Sequence, residues 1–176
     1  MRTFSLLSVL LGASAAASVY PRTPLPLSTF LLVTTSQCPS ASNASLLANV
    51  SATSLFDPYS QAIDQLRLIA PGYGSLPRFN ITNGDLHTAA AGPHGVGQYV
   101  YNSTGVVSPG QELQFTPAVE PNGNLALKNG YLLTVGGEEV GWTICDGDLS
   151  EQVIYWKGNA SSCTPTYIHA VGSAPY

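Results

Sequence analysis

Short runs of alternating apolar and polar side chains recur along most of this chain, with turn-forming residues between them. A period of two is typical of β-strands with one buried face, whereas a helix repeats every 3.6 residues. The pattern predicts about eleven short antiparallel strands, and a single helical turn at Ser60–Gln65 is the only helix considered. The predicted strands are Phe30–Thr34, Leu66–Ile69, Arg78–Ile81, Leu86–Ala89, Gln98–Tyr101, Glu112–Phe115, Leu125–Lys128, Tyr131–Val135, Trp142–Cys145, Val153–Trp156 and Tyr167–Val171.

The strongest turn signals fall between Asn122 and Cys145. Asn129-Gly130 is the dipeptide that best tolerates two successive positive φ angles, so it predicts a two-residue hairpin turn. A second turn is predicted at Gly136–Glu139, which would join the three strands of this segment into a meander. The side chains expected to face inward are Leu125, Leu127, Leu132, Val135, Trp142 and Ile144.

A weak repeat refines the fold class. The pattern Asn/Asp-Gly-X-Leu begins at Asn83, Asn122, Asn129 and Asp146, and its first two copies lie 39 residues apart. That spacing is close to one lobe of a three-lobed barrel, although hairpins commonly reuse the same turn chemistry. An all-β domain with a β-trefoil-like barrel is therefore favoured, and a β-sandwich is the alternative.

The first residues read as a secretory signal. Arg2 precedes the apolar run Phe4–Leu11, which is too short to span a bilayer, and small residues follow it. Cleavage after Ala17 would leave residues 18–176 as one secreted domain without a membrane anchor. Five Asn-X-Ser/Thr sequons predict N-glycosylation in a secretory route, at Asn43, Asn49, Asn80, Asn102 and Asn159.

Charge is scarce, and this excludes one class of partner. Charged residues make up 9% of the chain, and the formal net charge is −4. The few basic residues form no patch in the sequence, so a nucleic-acid partner is set aside. Glycans would supply the hydration that charged side chains usually provide.

The cysteine count and one polar segment are interpreted under the same expectation that the protein is secreted. Three cysteines leave an odd one in an oxidising compartment. Cys145 and Cys163 flank a predicted strand and are the favoured disulfide, which leaves Cys38 free or linked to another chain. Cys38 lies in the Ser/Asn-rich segment Ser36–Ser54, which is interpreted as a glycan-bearing excursion.

Candidate chemistry is sparse. Half of the acidic residues fall in one segment, at Glu138, Glu139, Asp146, Asp148 and Glu151. Such carboxylates can serve a glycosidase or bind calcium, but turn positions favour solvated structural roles. The histidines lack zinc spacing, and no nucleophile elbow or phosphate loop is present. No catalytic residue, metal or cofactor is therefore predicted.

Aromatic side chains suggest a binding role instead. Trp142, Tyr155 and Trp156 lie in predicted strands, where an outward ring would offer a stacking surface for a sugar. Packing in the core or across strands is the competing and favoured interpretation.

Three short segments carry a family resemblance: Asn83–Leu86, Gly123–Leu127 and Gly141–Gly147. Together with the signal peptide and the single all-β domain, they resemble fungal secreted cell-wall proteins of the phialide-development (PhiA) type. The resemblance implies a glycosylated wall or extracellular protein with no catalytic residues. The expected function is a non-catalytic glycoprotein of the fungal cell wall or extracellular matrix, with wall polysaccharide or wall proteins as partners. A carbohydrate-binding lectin-like module and a small secreted hydrolase are the alternatives.

Overall fold

The fold is all-β, as the alternation predicts. The computed structural model describes residues 28–36, 47, 49–59, 63–73, 76–91 and 96–176. These residues form fourteen strands and one turn of 3-10 helix at Asp148–Ser150. Strands β1 to β14 are, in order, Leu31–Thr35, Ser51–Phe56, Asp64–Ile69, Phe79–Thr82, Asp85–Ala91, Gln98–Ser103, Gln111–Glu112, Gln114–Thr116, Leu125–Lys128, Leu132–Val135, Trp142–Asp146, Gln152–Trp156, Thr164–Pro165 and Tyr167–Val171.

Ten of the strands make a nearly closed antiparallel barrel. Their order around the sheet is β4-β5-β6-β8-β3-β2-β1-β14-β10-β9. The other four strands lie off this path: β12 pairs with β11, β7 and β3, and β13 pairs with β11. The preference for a barrel over a β-sandwich is confirmed.

A short seam brings the two ends of the ten-strand path together. The backbone amide of Gly123 donates to the carbonyl of Asn83 at 3.1 Å, and the amide of Leu125 donates to the carbonyl of Gly84 at 2.9 Å. The first two copies of the Asn-Gly-X-Leu pattern therefore contact each other. The Asn124 side chain adds to the seam, since its amide exchanges two hydrogen bonds with the backbone of Val107, at 2.9 and 3.0 Å.

The inner face of the barrel holds the main core. Phe79 and Phe115 pack with ring centroids 5.6 Å apart, and Phe30 bridges to Phe79 through paired backbone hydrogen bonds. Trp142 and Trp156 meet edge to face at 5.1 Å on the adjoining β11–β12 pair. Of the six side chains expected to face inward, four are buried, and Leu127 and Ile144 are partly buried against the same core.

The predicted meander is wrong in its third strand. β10 pairs with β9 on one side and β14 on the other, while β11 pairs with β12 and β13. After the turn at Gly136-Gly137 the backbone returns for only one bridge, Val135 to Glu138, and then leaves the barrel. The turn residues therefore predict correctly that the chain reverses at this point, but they do not determine which strand pairs with the segment that follows.

Two further boundaries differ from the prediction. The turn between β9 and β10 has three residues, because Lys128 pairs with Leu132 and Tyr131 stays outside the strand. Asn129 and Gly130 do adopt the expected positive φ, 54° and 78°. The helical turn expected at Ser60–Gln65 is wrong over its described part, where β3 already begins at Asp64.

Two strands were missed altogether, the two-residue β13 at Thr164–Pro165 and the longer β2. β2, Ser51–Phe56, begins inside the segment interpreted as a glycan-bearing excursion and pairs with both β1 and β3. Its alternation is weak because Ser and Ala occupy several positions, so the apolar signal is small. Most of the earlier part of that excursion, and the signal segment 1–17, lie outside the described residues. Among the described residues no helix is long and apolar enough to cross a membrane.

Candidate functional site

The sequon asparagines lie in different environments. Asn49, Asn80 and Asn159 are exposed, and Asn80 faces outward from β4 because its neighbour Phe79 fills the core. Asn43 lies outside the described residues. Asn102 is half-buried: its Oδ1 lies 2.6 Å from Nδ1 of His87, and its Nδ2 donates to the carbonyl of Ala118 at 2.8 Å. In the folded structure the side chains of Asn80 and Asn159 are exposed, Nδ2 of Asn49 donates to the hydroxyl of Ser36 at 3.2 Å, and Asn102 is held by two partners.

The disulfide prediction is confirmed. Cys145 is bonded to Cys163, which closes a loop carrying the exposed sequon residue Asn159. Gly158 packs against this bond, since a β-carbon there would lie 2.7 Å from Sγ of Cys145 and 3.0 Å from Sγ of Cys163. The position of Cys38 lies outside the described residues, so its partner stays a prediction.

The acidic segment does not form one site. Glu138 pairs with Lys157, Glu139 with Lys128, and Glu151 with Arg67. Asp148 accepts a hydrogen bond from the hydroxyl of Tyr59, and Asp146 is exposed at the end of β11. Within the described ranges no group of three or more His, Cys, Asp or Glu side chains is arranged to hold a metal ion.

The two tryptophans do not offer a surface for sugar. Trp142 and Trp156 are 1% and 2% exposed, and the indole N–H of Trp142 donates to the carbonyl of Leu133 at 3.0 Å. Both rings belong to the core, so the sugar-stacking role considered for them is wrong. Tyr155 differs from the two tryptophans, because it is half-buried and pairs with Glu112 of β7. Burial, followed by the charges of Glu112 and Asp148, raises the pKa of its hydroxyl.

The histidines show no catalytic arrangement in the part of the chain that the structure describes. His169 is 2% exposed, stacks on Tyr131 at 5.4 Å, and has no hydrogen-bond partner for Nε2. Burial lowers the pKa of His169 to about 4. The ring is therefore neutral at physiological pH and stacks as a flat surface on Tyr131.

A cavity at one end of the barrel was not predicted. Its volume is about 430 Å³, and it opens where β2 and β5 end and β3 and β6 begin. β8 bonds to only two residues of β6, Asn102 and Ser103, so the first residues of β6 have no described strand partner on that side. The wall of the barrel is thus interrupted beside these residues. The lining residues are Ser54, Leu55, Asp64, Leu76, Pro77, Ala89, Ala90, Ala91 and Gln98.

Asp64 is the chemically notable member of this cavity. It lies two residues before Leu66, and successive alternate residues of a strand share a face, so its carboxylate lies on the inner side of the barrel. Only 9% of the residue is exposed. Burial, together with the nearby charge of Asp57, raises the pKa of Asp64 to about 6. A carboxyl group with a shifted pKa in a cleft is typical of functional sites.

One tyrosine of β6 lies near this carboxyl group, and a second is on the same face of the strand. Tyr101 is almost fully buried, and its hydroxyl donates to the carbonyl of Ala91 at 3.4 Å. Burial and then the charge of Asp64 raise the pKa of this hydroxyl. Tyr99 pairs with Ala90, shares the face of Tyr101 by alternation, and is 48% exposed. The sequence did contain a signal for the cavity, namely a charged residue at an inward position of the pattern Asp64-X-Leu66-X-Leu68.

Comparison with known proteins adds no identification. No family model, no curated protein and no solved structure matches the chain. The resemblance to phialide-development wall proteins therefore stays a hypothesis, and the function has to be argued from the residues themselves.

Proposed function

We propose that this protein is a secreted, N-glycosylated and non-catalytic β-barrel protein of the fungal cell wall or extracellular matrix. The observation that supports it best is the loop closed by Cys145 and Cys163, which carries the exposed sequon residue Asn159. Structural disulfides persist in oxidising compartments, and sequons are glycosylated in the secretory route. Both features of this loop agree with the secretory signal expected at residues 1–17.

The dispersed carboxylates favour a non-catalytic role. A retaining or inverting glycosidase needs two carboxyl groups that face each other across the substrate. Here Glu138, Glu139 and Glu151 each pair with a different basic side chain, on separate strands or turns. None of the five acidic residues of this segment lines the cavity at the barrel end. A wall protein needs stability and surface contacts rather than such a pair.

Secretion and glycosylation can be tested together. The full chain is expressed in a filamentous fungus with its own leader, and the protein in the medium is sequenced from its N-terminus. We expect it to begin near Ser18 and to lose mass on enzymatic removal of N-glycans. Asn159→Gln should remove one glycan, while the matched Asn122→Gln, at an exposed asparagine without a sequon, should remove none. Retention inside the cell, or a mass unchanged by deglycosylation, would contradict the proposal.

A lectin-like module is the second candidate, and Tyr155 is the observation that favours it. Tyr155 alternates with the buried Ile154 and Trp156, so its ring lies on the outer side of β12, and the residue pairs with Glu112 of β7. An aromatic face with a carboxylate on the neighbouring strand would suit a sugar, which stacks on the ring and donates from its hydroxyls. Binding to a glycan array or to insoluble wall polysaccharide, lost in Tyr155→Ala and retained in Tyr99→Ala, would support this candidate. Equal retention by both variants would assign wall attachment to another surface.

A further inference from the structure

The carboxylate of Asp64 lacks a compensating charge in the described part of the chain. The three ion pairs formed there use Arg67, Lys128 and Lys157, each with a glutamate elsewhere. Arg78 lines a different cavity, on the outer face of β4 to β6. Among the described residues, the charge that acts on Asp64 is that of Asp57, which follows β2 and is itself an anion.

A buried charge without a partner is costly, and a bound cation would remove that cost. The rest of the cavity defines what else such a ligand should carry. The apolar residues of the lining are Leu55, Leu76, Pro77, Ala89, Ala90 and Ala91. Apart from Asp64, the polar side chains of the lining are Ser54 and Gln98, both neutral. The cavity therefore combines one anionic group with a lining to which polar atoms contribute at least as much surface as apolar ones.

We propose that this cavity is a binding site for a small organic amine, whose ammonium group donates to the Asp64 carboxylate while its carbon skeleton lies against Ala90 and Leu76. An ammonium group is compact and carries three donors, so it fits a single carboxylate. A divalent metal ion prefers several oxygen ligands, and one carboxylate does not supply them. A neutral sugar would form hydrogen bonds with Asp64 but would leave its charge uncompensated.

The direct test compares matched ligands with and without the charge. Cyclohexylamine and cyclohexanol have the same ring, and glucosamine and N-acetylglucosamine extend the comparison to sugars. Each is titrated into the full secreted glycoprotein at pH 7 and followed by NMR. We expect the two amines to bind and their neutral counterparts to bind at least tenfold more weakly. Glucosamine binding more tightly than cyclohexylamine would identify an amino sugar as the source of the amine. The site is refuted if neutral and charged ligands bind alike, or if no amine binds at tens of millimolar.

Two variants assign the binding to Asp64. Asp64→Asn should weaken amine binding on the order of tenfold or more, as expected when one member of a close charge pair is removed. Asp146→Asn changes the net charge equally at an exposed position, so it should leave the affinity unchanged. Ala90→Leu fills the wall without touching the charge and should also weaken binding. Equal affinity in Asp64→Asn and Asp146→Asn would place the amine elsewhere and overturn the assignment.

A separate readout does not depend on affinity. The carboxyl carbon of Asp64 can be titrated by NMR with and without cyclohexylamine. A bound ammonium favours the ionised carboxylate, so the amine should lower the pKa of Asp64 from about 6. An unchanged pKa at saturating amine would show that the two charges do not meet.

Discussion

Two hairpin turns of this protein have the same backbone conformation but differ in the atoms that surround them. In one turn Asn83 and Gly84 have φ angles of 53° and 84°, and in the other Gly136 and Gly137 have 58° and 85°. Both are two-residue connections between antiparallel strands or bridges. Judged by backbone conformation alone, the two turns make the same demand on sequence.

The first turn is closely packed and the second is open to solvent. A β-carbon on residue 84 would overlap the carbonyl of Gly123 across the barrel seam, whereas one on residue 137 would meet no atom within 4 Å. Gly123 is equally constrained from its side, since a β-carbon there would overlap the carbonyl of Gly84 and the carboxylate of Asp85. Gly84 therefore has two roles, a positive φ and a close backbone approach, while Gly137 has only the first.

The largest difference in the free energy of unfolding is expected between an alanine substitution in the seam turn and one in the open turn. Gly137→Ala should cost about 1–2 kcal/mol, the penalty of a left-handed conformation for a residue with a β-carbon. Gly84→Ala carries the same penalty and must also separate the seam, with loss of the hydrogen bonds donated by Gly123 and Leu125 and of the packing below them. We expect a total loss of about 4 kcal/mol for this variant. Urea unfolding of both variants measures the difference.

One result would remove the contrast between the turns. If Gly84→Ala and Gly137→Ala lower the free energy of unfolding equally, the seam does not constrain residue 84, and the barrel is held closed by its other strands. Gly123→Ala provides the check, because its backbone has no positive φ and only the close approach penalises it. It should therefore fall between the other two variants.

The two turns also show how far the sequence predicts this fold. Asn83-Gly84 and Gly136-Gly137 are both recognisable, because positive φ restricts the residues that can occupy a turn. The all-β class and the disulfide follow from equally local signals. The contact between Gly84 and Gly123 is different, since it depends on how the sheet closes and leaves no local pattern beyond the glycines themselves. The order of strands after Val135 was missed for the same reason.

The candidate site divides in the same way. The sequons and the cysteines are visible in the chain, because their chemistry requires particular residue types at short spacings. Of the cavity only Asp64 leaves a local signal, because the other lining residues, such as Ala89–Ala91 and Leu76, come from separate segments that the closed sheet brings together. The burial of Trp142 and Trp156 likewise depends on the pairing of β11 with β12, which brings the two rings into contact in the core.

A second prediction concerns the charge at the seam. Asp85 is 4% exposed, and one of its carboxylate oxygens has no hydrogen-bond partner. Burial raises the pKa of this carboxyl group, while the backbone of Gly123 and the nearby His87 act in the opposite direction. A raised pKa in the folded state means that the stabilising contribution of the acid is complete below its unfolded pKa. That contribution is lost as the pH rises through the folded value.

Asp85→Asn keeps the shape of the side chain and removes this titration. Relative to the unchanged protein, the variant should therefore gain stability as the pH rises, with an effect smaller than that of Gly84→Ala. Thermal melts from acid to neutral pH would show the two curves separating. Asp146→Asn, exposed and far from the seam in the chain, is the control and should stay parallel to the unchanged protein. Parallel curves for Asp85→Asn would show that the seam carboxylate is well solvated.

The smallest effect is expected at the open turn, and it tests whether that turn is as unconstrained as its surroundings indicate. Glu138 and Glu139 follow Gly137 and pair with Lys157 and Lys128, and all four side chains are partly exposed, from 32% for Glu139 to 60% for Glu138. Surface ion pairs of this kind contribute about 0–1 kcal/mol, and salt screens them. Glu138→Ala and Glu139→Ala should each change the free energy of unfolding by less than about 0.5 kcal/mol, and high salt should abolish even that difference. A loss comparable to that of Gly84→Ala would mean that these glutamates anchor the chain where it leaves the barrel, and that the second turn is constrained by its side chains rather than by its backbone.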